Sequence, residues 1–293
     1  MATTASRTHE PAHRSEPAPA PHAAAPWANL PEVQALIAEM RQRNPDADPM
    51  SLLPEVDPRK IPRHIAVIMD GNGRWAQQRG LSRIFGHQQG AKGVRTIVSA
   101  CGKLGVECLT LYSFSLENWK RPADEIAGLM DLYTTYLQAE ADEIVRNNIR
   151  FVQIGRREGL PPEVLRAVDQ LTERTRANTG AKLCLAVNYG SRAEIVDAVR
   201  TIAAKVARGD LTTDQISDQT ISDHLYTAGL PDPDLLIRTA GEMRVSNYLL
   251  WQISYAELHV TDVLWPDFGI PELHEAVREY ARRSRRFGGL NAI

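Results

Sequence analysis

The sequence predicts an α/β fold in which parallel strands are joined by crossover helices. From Arg63 onward, short apolar runs rich in β-branched residues alternate with longer stretches of helical apolar period, which is the pattern of a parallel sheet. Glycines such as Gly155 and Gly190 fall at the boundaries that this alternation needs. The chain of 293 residues is long enough for one large domain with a sizeable core.

Six strands and six helices follow from this alternation. The strands are expected near residues 64–69, 107–114, 149–154, 182–188, 234–239 and 257–262. The helices are expected near residues 87–104, 122–147, 161–177, 191–208, 219–226 and 271–287.

The chain begins with a segment of different composition. Residues 1–28 are rich in Ala, Pro and His and have too few large apolar side chains to offset chain entropy, so we expect disorder there. Residues 29–61 are expected to form a helical lead-in and linker. Within them Pro31–Arg43 has a helical apolar period, which Asn44 and Pro45 end.

Composition limits the possible functions. The chain has 34 basic and 36 acidic residues, and this near balance argues against a nucleic-acid-binding surface. Cys101, Cys108 and Cys184 lie in apolar patterns without a Cys-x-x-Cys pair, which is typical of buried, reduced thiols. Neither a signal-peptide core nor a run of about 18 apolar residues is present, so a cytoplasmic protein is expected.

A carboxylate and an arginine follow the first predicted strand. Asp70 comes directly after the apolar run 64–69, and Gly71 and Gly73 allow the backbone to bend closely around a ligand. Arg74 adds a rigid fork of donors suited to phosphate. In an open α/β sheet, the carboxyl edge of the strands is where ligands bind.

A second group of polar residues stands at the glycine-rich start of the next predicted helix. Arg83 and His87 precede the apolar stretch 94–100, and helix N-termini favour anions. Together with Arg74 they suit a diphosphate better than a single phosphate. The glycine spacing fits neither the Walker pattern nor the dinucleotide fingerprint, so a phosphorylated ligand other than a nucleotide is indicated.

The segment Asp70-Gly71-Asn72-Gly73-Arg74-Trp75 resembles the first signature of the cis-prenyltransferases, the undecaprenyl and polyprenyl diphosphate synthases. Four later segments resemble further signatures of that family in the expected order. They are Gly86-His87-x-x-Gly90, Leu111-Tyr112-Ser113-Phe114-Ser115-x-Glu117-Asn118-Trp119-x-Arg121-Pro122, Asp234-Leu235-x-Ile237-Arg238-Thr239, and Glu242-x-Arg244-x-Ser246-Asn247 continuing through Trp251, Tyr255-Ala256-Glu257 and Leu264-Trp265-Pro266. The resemblance runs from about Pro62 to Leu290 and makes 62–293 the expected catalytic domain.

The resemblance implies a single domain with a central six-stranded, mostly parallel sheet flanked by helices. It also implies a transferase that condenses isopentenyl diphosphate units onto an allylic diphosphate, such as farnesyl diphosphate, with cis double bonds. The product would be a long polyprenyl diphosphate, a precursor of cell-wall lipid carriers, through which the protein could touch membranes peripherally. Because diphosphate leaves poorly unless its charge is neutralised, this chemistry needs Mg²⁺, cationic donors and a dry apolar channel.

The resemblance assigns roles to individual residues. Asp70, Asn72 and Asn118 are the implied catalytic residues. The allylic diphosphate would be bound by Gly71, Gly73, Arg74, Trp75, Arg83, His87, Ser115 and Arg121. Isopentenyl diphosphate would be bound by Arg238, Arg244, Ser246, Arg286 and Gly288. Asp70 and Glu257 are the implied Mg²⁺ ligands.

The resemblance also implies a homodimer, in which the tail carrying Arg286 and Gly288 reaches the neighbouring active site. The channel is expected between the helices at 87–104 and 122–147 and the sheet. On the second of these helices Ile126, Leu129, Met130, Tyr133 and Leu137 share one face, although such a stripe is more often plain core than the wall of a lipid channel.

Two residues depart from the family pattern. Ala240 stands where the family often has Gly, and it is harmless if its backbone adopts an ordinary conformation. Met243 stands where many bacterial members have His, which removes a possible polar contact and places the affinity for isopentenyl diphosphate in question.

Two other functions compete with catalysis by this chain. A non-catalytic subunit of a prenyltransferase complex would be expected to lack Asp70 and the arginines, which are all present here. An unrelated phosphotransferase is disfavoured because no Walker lysine motif occurs. An all-helical trans-prenyltransferase is excluded because the sequence has no Asp-Asp-x-x-Asp and predicts an α/β fold.

Overall fold

The structure, a computed structural model, describes residues 25–285, and a six-stranded sheet lies at its centre. The strands are β1 (His64–Ile68), β2 (Cys108–Ser115), β3 (Arg150–Ile154), β4 (Lys182–Tyr189), β5 (Leu235–Arg238) and β6 (Glu257–Val260). Their order is β3-β4-β2-β1-β5-β6, and every pair is parallel. The predicted strands are confirmed to within two residues at each end, and the sheet is wholly rather than mostly parallel.

The helices of this range flank the sheet. They are α1 (Pro31–Arg43), α2 (Pro49–Leu52), α3 (Asn72–Gln77), α4 (Arg83–Lys103), α5 (Ala123–Arg146), α6 (Pro162–Arg174), α7 (Ser191–Arg208), α8 (Asp218–Ser222) and α9 (Ile270–Arg282). The prediction that a helix begins at 87 is wrong, because Ser82 Oγ accepts a hydrogen bond from the Phe85 N–H and starts α4 at Arg83. The short α3 was not predicted, since six residues with a glycine show no clear period.

The register of the sheet brings the carboxyl ends of three strands together. Ile68, at the end of β1, pairs with Tyr112 in β2 and with Arg238 at the end of β5. The segments that follow these strands therefore meet at one edge of the sheet, the place where open α/β sheets bind ligands.

Both faces of β1 are buried, which explains its continuous apolar sequence. Ile65 and Val67 belong to the larger part of the core together with Ile97 of α4. Ala66 lies on the other face, in a smaller cluster that includes Tyr248. The core thus fixes β1 from both sides, and with it the position of the residues that follow.

The residues before the sheet are part of the folded domain and not a linker. In α1 and the segment after it, Met40, Leu53 and Val56 are buried. A side chain at Gly105 would meet Met40 Sδ at 2.5 Å, and the Asp48 N–H donates to Lys103 O at 2.9 Å. The interpretation of 29–61 as a linker is therefore wrong for the part that packs on the core. Residues 1–24, for which disorder was predicted, lie outside the described residues.

The three cysteines are buried and free, as predicted. Of the helices between residues 25 and 285, none is both long and apolar enough to cross a membrane.

Candidate active site

Asp70 is fixed where β1 ends. Its N–H donates to Thr239 Oγ1 at 2.9 Å, and that hydroxyl donates to Asp70 O at 2.7 Å. The Gly71 N–H donates to Asp70 Oδ1 at 2.7 Å. Gly71 has a φ of 103°, in the left-handed region, and a Cβ there would approach Leu264 Cδ2 to 2.8 Å, so only glycine fits.

Arg238 binds the other oxygen of this carboxylate. Its Nη2 lies 2.9 Å from Asp70 Oδ2, and its Nη1 donates to Ser246 Oγ at 2.7 Å and to Arg244 O. The Arg238 side chain is only 6% exposed, and its Nε has no hydrogen-bond partner among residues 25–285. Arg238 therefore joins Asp70 to the loop that carries Arg244 and Ser246, and keeps one donor available.

The two arginine groups predicted from the sequence are connected and not separate. Glu242 forms an ion pair with Arg74 Nη2 at 3.1 Å and accepts a hydrogen bond from Arg244 Nη1. Arg74 Nη2 lies 3.8 Å from Asp70 Oδ1 as well. This alternation of carboxylates and guanidinium groups holds the cations of both predicted diphosphate pockets around Asp70.

A second carboxylate, Glu125 on α5, holds the remaining cations. Glu125 accepts from Arg83 Nε at 3.1 Å and from Arg121 Nη1 at 3.0 Å. Burial opposes ionisation of its carboxyl, but the hydrogen bond from Arg83 and the charge of Arg121 lower its pKa. Arg83 Nη1 remains directed at Gly73, where any Cβ would overlap it. Glu125 thus orients Arg83 while leaving one of its nitrogens for a ligand.

His87 lies in the second turn of α4 and not at the helix entrance, because the helix begins four residues earlier. Burial, together with the charge of Arg121, lowers the pKa of His87 to about 4, so the imidazole is neutral at pH 7. Its Nε2 is buried without a hydrogen-bond partner among the described residues and is 3.7 Å from Glu125 Oε1.

These residues surround a small polar cavity of about 140 Å³ that opens into a larger one of about 580 Å³. The small cavity is lined by Gly71, Gly73, Arg74 and Arg83, and the two cavities share Asp70, Asn72, His87 and Arg121. We call the small cavity the anion cradle, because three arginines line it.

The larger cavity extends from the polar edge into the interior. Its mouth also includes Ser115, Asn118, Arg238 and Ser246. Further in, its wall is formed by Val94 of α4, by Leu129, Met130, Tyr133 and Tyr136 of α5, and by Leu185 and Val187 of β4. A cavity does lie between these two helices and the sheet, where the channel was predicted; its use by a hydrocarbon chain stays a prediction. Of the predicted stripe, Leu129, Met130 and Tyr133 line the cavity, whereas Leu137 belongs to the core.

The neutral hydrogen-bonding residues stand at the junction of the two cavities. Asn118 Oδ1 accepts from the Ser115 N–H at 3.0 Å, which fixes the turn after β2. Asn72 Nδ2 donates to Met69 O at 3.2 Å, while its Oδ1 is buried and has no hydrogen-bond partner between residues 25 and 285. Asn72 Oδ1 is therefore an unpaired acceptor, and it packs against Gly90, where a Cβ would meet it at 2.1 Å.

Residues 68–288 match the model of the undecaprenyl diphosphate synthase family. The chain belongs to the cis-prenyltransferase family. An isoprenyl transferase of Geobacter sulfurreducens is 52% identical over 80% of this chain and 96% of its own length. That of Heliobacterium mobile is 47% identical over 85% of this chain and 96% of its own. The lavandulyl diphosphate synthase of Lavandula x intermedia, solved with dimethylallyl diphosphate, has 40% identity and a TM-score of 0.77, and the match covers 78% of this chain and 99% of that one.

Two residues of this cis-prenyltransferase lie away from the site predicted for them. The Trp75 indole lines neither cavity, because its Nε1 donates to Asp267 Oδ1 at 2.7 Å. Glu257 starts β6, where it pairs with Leu235 at the amino end of β5, and it binds Arg283 at 2.9 Å. Glu257 and Asp70 are thus at opposite edges of the sheet. These positions within one chain do not support a metal ion shared by Asp70 and Glu257, which stays a prediction.

The two departures from the pattern of the cis-prenyltransferases have different surroundings. Ala240 has a φ of 72°, so it does not adopt the ordinary backbone conformation that would make it harmless, and the residue is strained. Met243 lies between Arg238 and Arg244 in the chain, and 88% of its surface is exposed. Arg286 and Gly288 lie outside the described residues.

The sequence reasoning missed Glu125, and it gave no role to Glu242. One signal was available for Glu125, since it stands four residues after Arg121 on a predicted helix, the spacing of an ion pair. Its link to Arg83 joins α5 to α4 and depends on tertiary structure. The contacts of Glu242 depend on how the loop after β5 folds back over α3.

Proposed function

We propose that this cis-prenyltransferase condenses isopentenyl diphosphate units one after another onto an allylic diphosphate such as farnesyl diphosphate. Each new double bond would be cis, and the product would be a long polyprenyl diphosphate that serves as a precursor of cell-wall lipid carriers. One observation carries the proposal: a cradle of arginines opens directly into a deep apolar cavity. Such a site suits a ligand with a diphosphate head and a hydrocarbon tail.

The anion cradle would bind the allylic diphosphate. Arg74, Arg83 and Arg121 offer charge-assisted hydrogen bonds, and the neutral His87 can donate one more. The hydrocarbon tail would then lie in the larger cavity along α5, where burial of each methylene contributes about 0.8 kcal/mol. The growing product would remain attached by its diphosphate end.

Isopentenyl diphosphate would bind at Arg238, Arg244 and Ser246. The free Nε of Arg238 and the exposed guanidinium of Arg244 provide donors for its diphosphate. Because Arg238 also contacts Asp70, this position brings the second substrate beside the carboxylate that ends β1.

The donor set suits Mg²⁺ carried on a substrate. Asp70 is a single carboxylate, and Asn72, whose Oδ1 is unpaired, lines the same cavity. Residues 25–285 contain no group of three or more acidic, histidine or cysteine side chains that could hold an ion alone. Asp70 would therefore share the ion with diphosphate oxygens and waters, as Mg²⁺ commonly requires. When bound, the ion would neutralise charge on the departing diphosphate.

The side chains supply the remaining requirements for the reaction. When the allylic C–O bond breaks, negative charge grows on the diphosphate that Arg74, Arg83 and Arg121 surround, and fixed donors stabilise that charge without reorganising. Arg238 holds Asp70 in one orientation throughout. The apolar wall of the larger cavity keeps water away from the allylic carbon while the isopentenyl double bond attacks it. The carbocation formed on the isopentenyl unit then loses a proton, which leaves for solvent with the released diphosphate, and the new double bond forms.

Product analysis tests this proposal. The purified protein is incubated with farnesyl diphosphate, isopentenyl diphosphate and Mg²⁺, and the products are sized by mass spectrometry. The proposal requires a series of products that differ by five carbons, with cis geometry in the added units by NMR, and loss of activity in EDTA that Mg²⁺ restores. Absence of elongation by the folded protein would refute it, and trans units would refute the stereochemistry.

We further propose a cytoplasmic homodimer that touches membranes only through its lipid product. The outer edge of β6 has no neighbouring strand within the described residues, and Leu258 and Val260 on it are 48% and 37% exposed. Such an edge is normally covered, and two-fold dimers are the commonest soluble assemblies. Light scattering should give a molar mass twice that of the chain, and Leu258→Lys should lower this mass. A monomeric wild type would refute the dimer.

The tail residues can be tested in the same assembly. If Arg286 acts in the neighbouring active site, mixing Asp70→Ala chains with Arg286→Ala chains should restore part of the activity. One site in each mixed dimer would then carry both defects and the other neither. Mixed dimers without any recovery would show that Arg286 serves its own chain.

A further inference from the structure

The loop that carries Ser246 has an unusual backbone. Ser246, Asn247 and Leu249 have φ values of 46°, 58° and 48°, in the left-handed region that costs non-glycine residues about 1–2 kcal/mol each. A segment with three such residues keeps its shape only if other contacts determine it. Those contacts come from α7 and from the turn after β2.

The first contact is a helix cap supplied from a distant part of the chain. The residue that precedes α7, Gly190, has no side chain to cap the helix. Instead Asn247 Oδ1 accepts from the Arg192 N–H at 2.9 Å, and Asn247 O accepts from the Ser191 N–H at 2.8 Å. In return Ser191 Oγ accepts from the Leu250 N–H at 2.9 Å. A Cβ at Gly190 would come within 2.8 Å of Asn247 Nδ2, which explains the glycine.

The second contact reaches the other side of the cavity. Asn247 Nδ2 donates to Glu117 Oε1 at 2.9 Å. Glu117 belongs to the 3₁₀ turn Leu116–Lys120, which also holds Asn118 and leads directly to Arg121. Both Asn247 and Glu117 line the mouth of the larger cavity. The Glu117 carboxylate would repel two anionic substrates, so a role in binding them is disfavoured. Its hydrogen bond to Asn247 instead indicates that Glu117 positions the mouth of the cavity.

We propose that Asn247 is a positioning residue that couples the two substrate sites through Glu117. Its carbonyl and side-chain oxygens anchor the Ser246 loop to α7, and its amide N–H ties that loop to the turn that presents Asn118 and Arg121. The inference rests on the proposed function, because it takes Arg244 and Ser246 to be the isopentenyl diphosphate site. It adds the residue that fixes the distance between that site and the anion cradle.

An exchange of donor and acceptor tests the contact. Asn247→Asp keeps an oxygen for the Arg192 N–H and tolerates the left-handed backbone, but it places a second carboxylate against Glu117. We expect the KM for isopentenyl diphosphate to rise about tenfold, with kcat changed less than about threefold. Adding Glu117→Gln supplies an amide donor to the new carboxylate at position 247, so the double variant should recover most of the loss. Glu117→Gln alone completes the double-mutant cycle.

A control separates positioning from stability. Ser217 caps α8, because its Oγ accepts a hydrogen bond from the Thr220 N–H at 3.2 Å. Ser217→Ala removes this cap and should leave the KM for isopentenyl diphosphate unchanged. An unchanged KM in the Asn247→Asp enzyme, or a double variant no better than that enzyme, would overturn the inference. If the wild type fails to consume isopentenyl diphosphate, the proposed function fails as well. If the wild type turns over isopentenyl diphosphate normally and the variants have its KM, only the proposed coupling by Asn247 is overturned.

Discussion

The two arginines of the isopentenyl site should respond differently to removal of their side chains. Arg238 is 6% exposed and binds both Asp70 and Ser246, whereas the Arg244 side chain is 59% exposed and binds Glu242. Arg238→Ala therefore removes the proposed substrate contact and also releases Asp70. Arg244→Ala removes the proposed substrate contact and the exposed ion pair with Glu242, but leaves Asp70 bound to Arg238.

The magnitudes follow from these environments. A buried hydrogen bond to a charged group contributes about 1.5–3 kcal/mol, and Arg238 makes one to Asp70 and, in the proposed function, one to the substrate. Because the two contacts share one network, their effects will not add fully, and we expect kcat/KM to fall about 100- to 1,000-fold, with kcat itself at least about tenfold lower. For the more exposed Arg244, solvent screening reduces the effect to a rise of about 3- to 30-fold in the KM for isopentenyl diphosphate.

Steady-state kinetics with each substrate varied in turn provides the assay, and thermal unfolding of each variant shows whether the fold is intact. The reasoning is refuted if folded Arg238→Ala enzyme retains the wild-type kcat. It is equally refuted if Arg244→Ala lowers kcat as strongly as Arg238→Ala does. Either result would mean that Arg238 does not orient Asp70.

Two further predictions concern stability. Ala240→Gly should raise the free energy of unfolding by about 0.5–1 kcal/mol in urea titrations, because it relieves a φ of 72°; a less stable variant would contradict the strain. Burial lowers the pKa of His64 to about 4, between Pro231 O at 2.6 Å and Thr110 Oγ1 at 2.7 Å. As the pH falls, His64 is therefore protonated in the unfolded chain before it is protonated in the folded protein. The free energy of unfolding is highest above pH 6.5 and decreases as the pH falls from there towards 4. Between pH 7 and pH 5 this loss is about 2 kcal/mol, and His64→Asn should reduce it; an unchanged pH dependence would contradict the assignment.

Local patterns in the sequence were enough to predict the sheet, whereas the cavity was expected from the family resemblance. Runs such as His64–Ile68 are apolar because both faces of a parallel strand are buried, and the period of α5 is set by the core. The strand ends then placed Asp70 and Arg238 at the same edge of the sheet, which the register confirms. These features depend on neighbours in the chain and on general rules of α/β topology.

Contacts between distant segments could not be read in the same way. Glu125 binds Arg83 only because α4 and α5 pack side by side, and the Trp75 indole turns to Asp267 only because the segment after β6 folds over α3. Glu257 was assigned from the family motif, although it begins its strand, which places it at the amino edge of the sheet. The left-handed backbone of Ala240 has no local signal at all, because alanine normally avoids it.

The central claim is that Asp70 acts on the diphosphate at the junction of the cradle and the apolar cavity. The most direct test is the single-turnover rate of prenyl transfer by Asp70→Ala enzyme, with farnesyl and isopentenyl diphosphates and Mg²⁺ all saturating. Since the Asp70 side chain is 33% exposed and outside the core, the variant should remain folded, while the rate should fall by orders of magnitude. A rate near that of the wild type would contradict the claim.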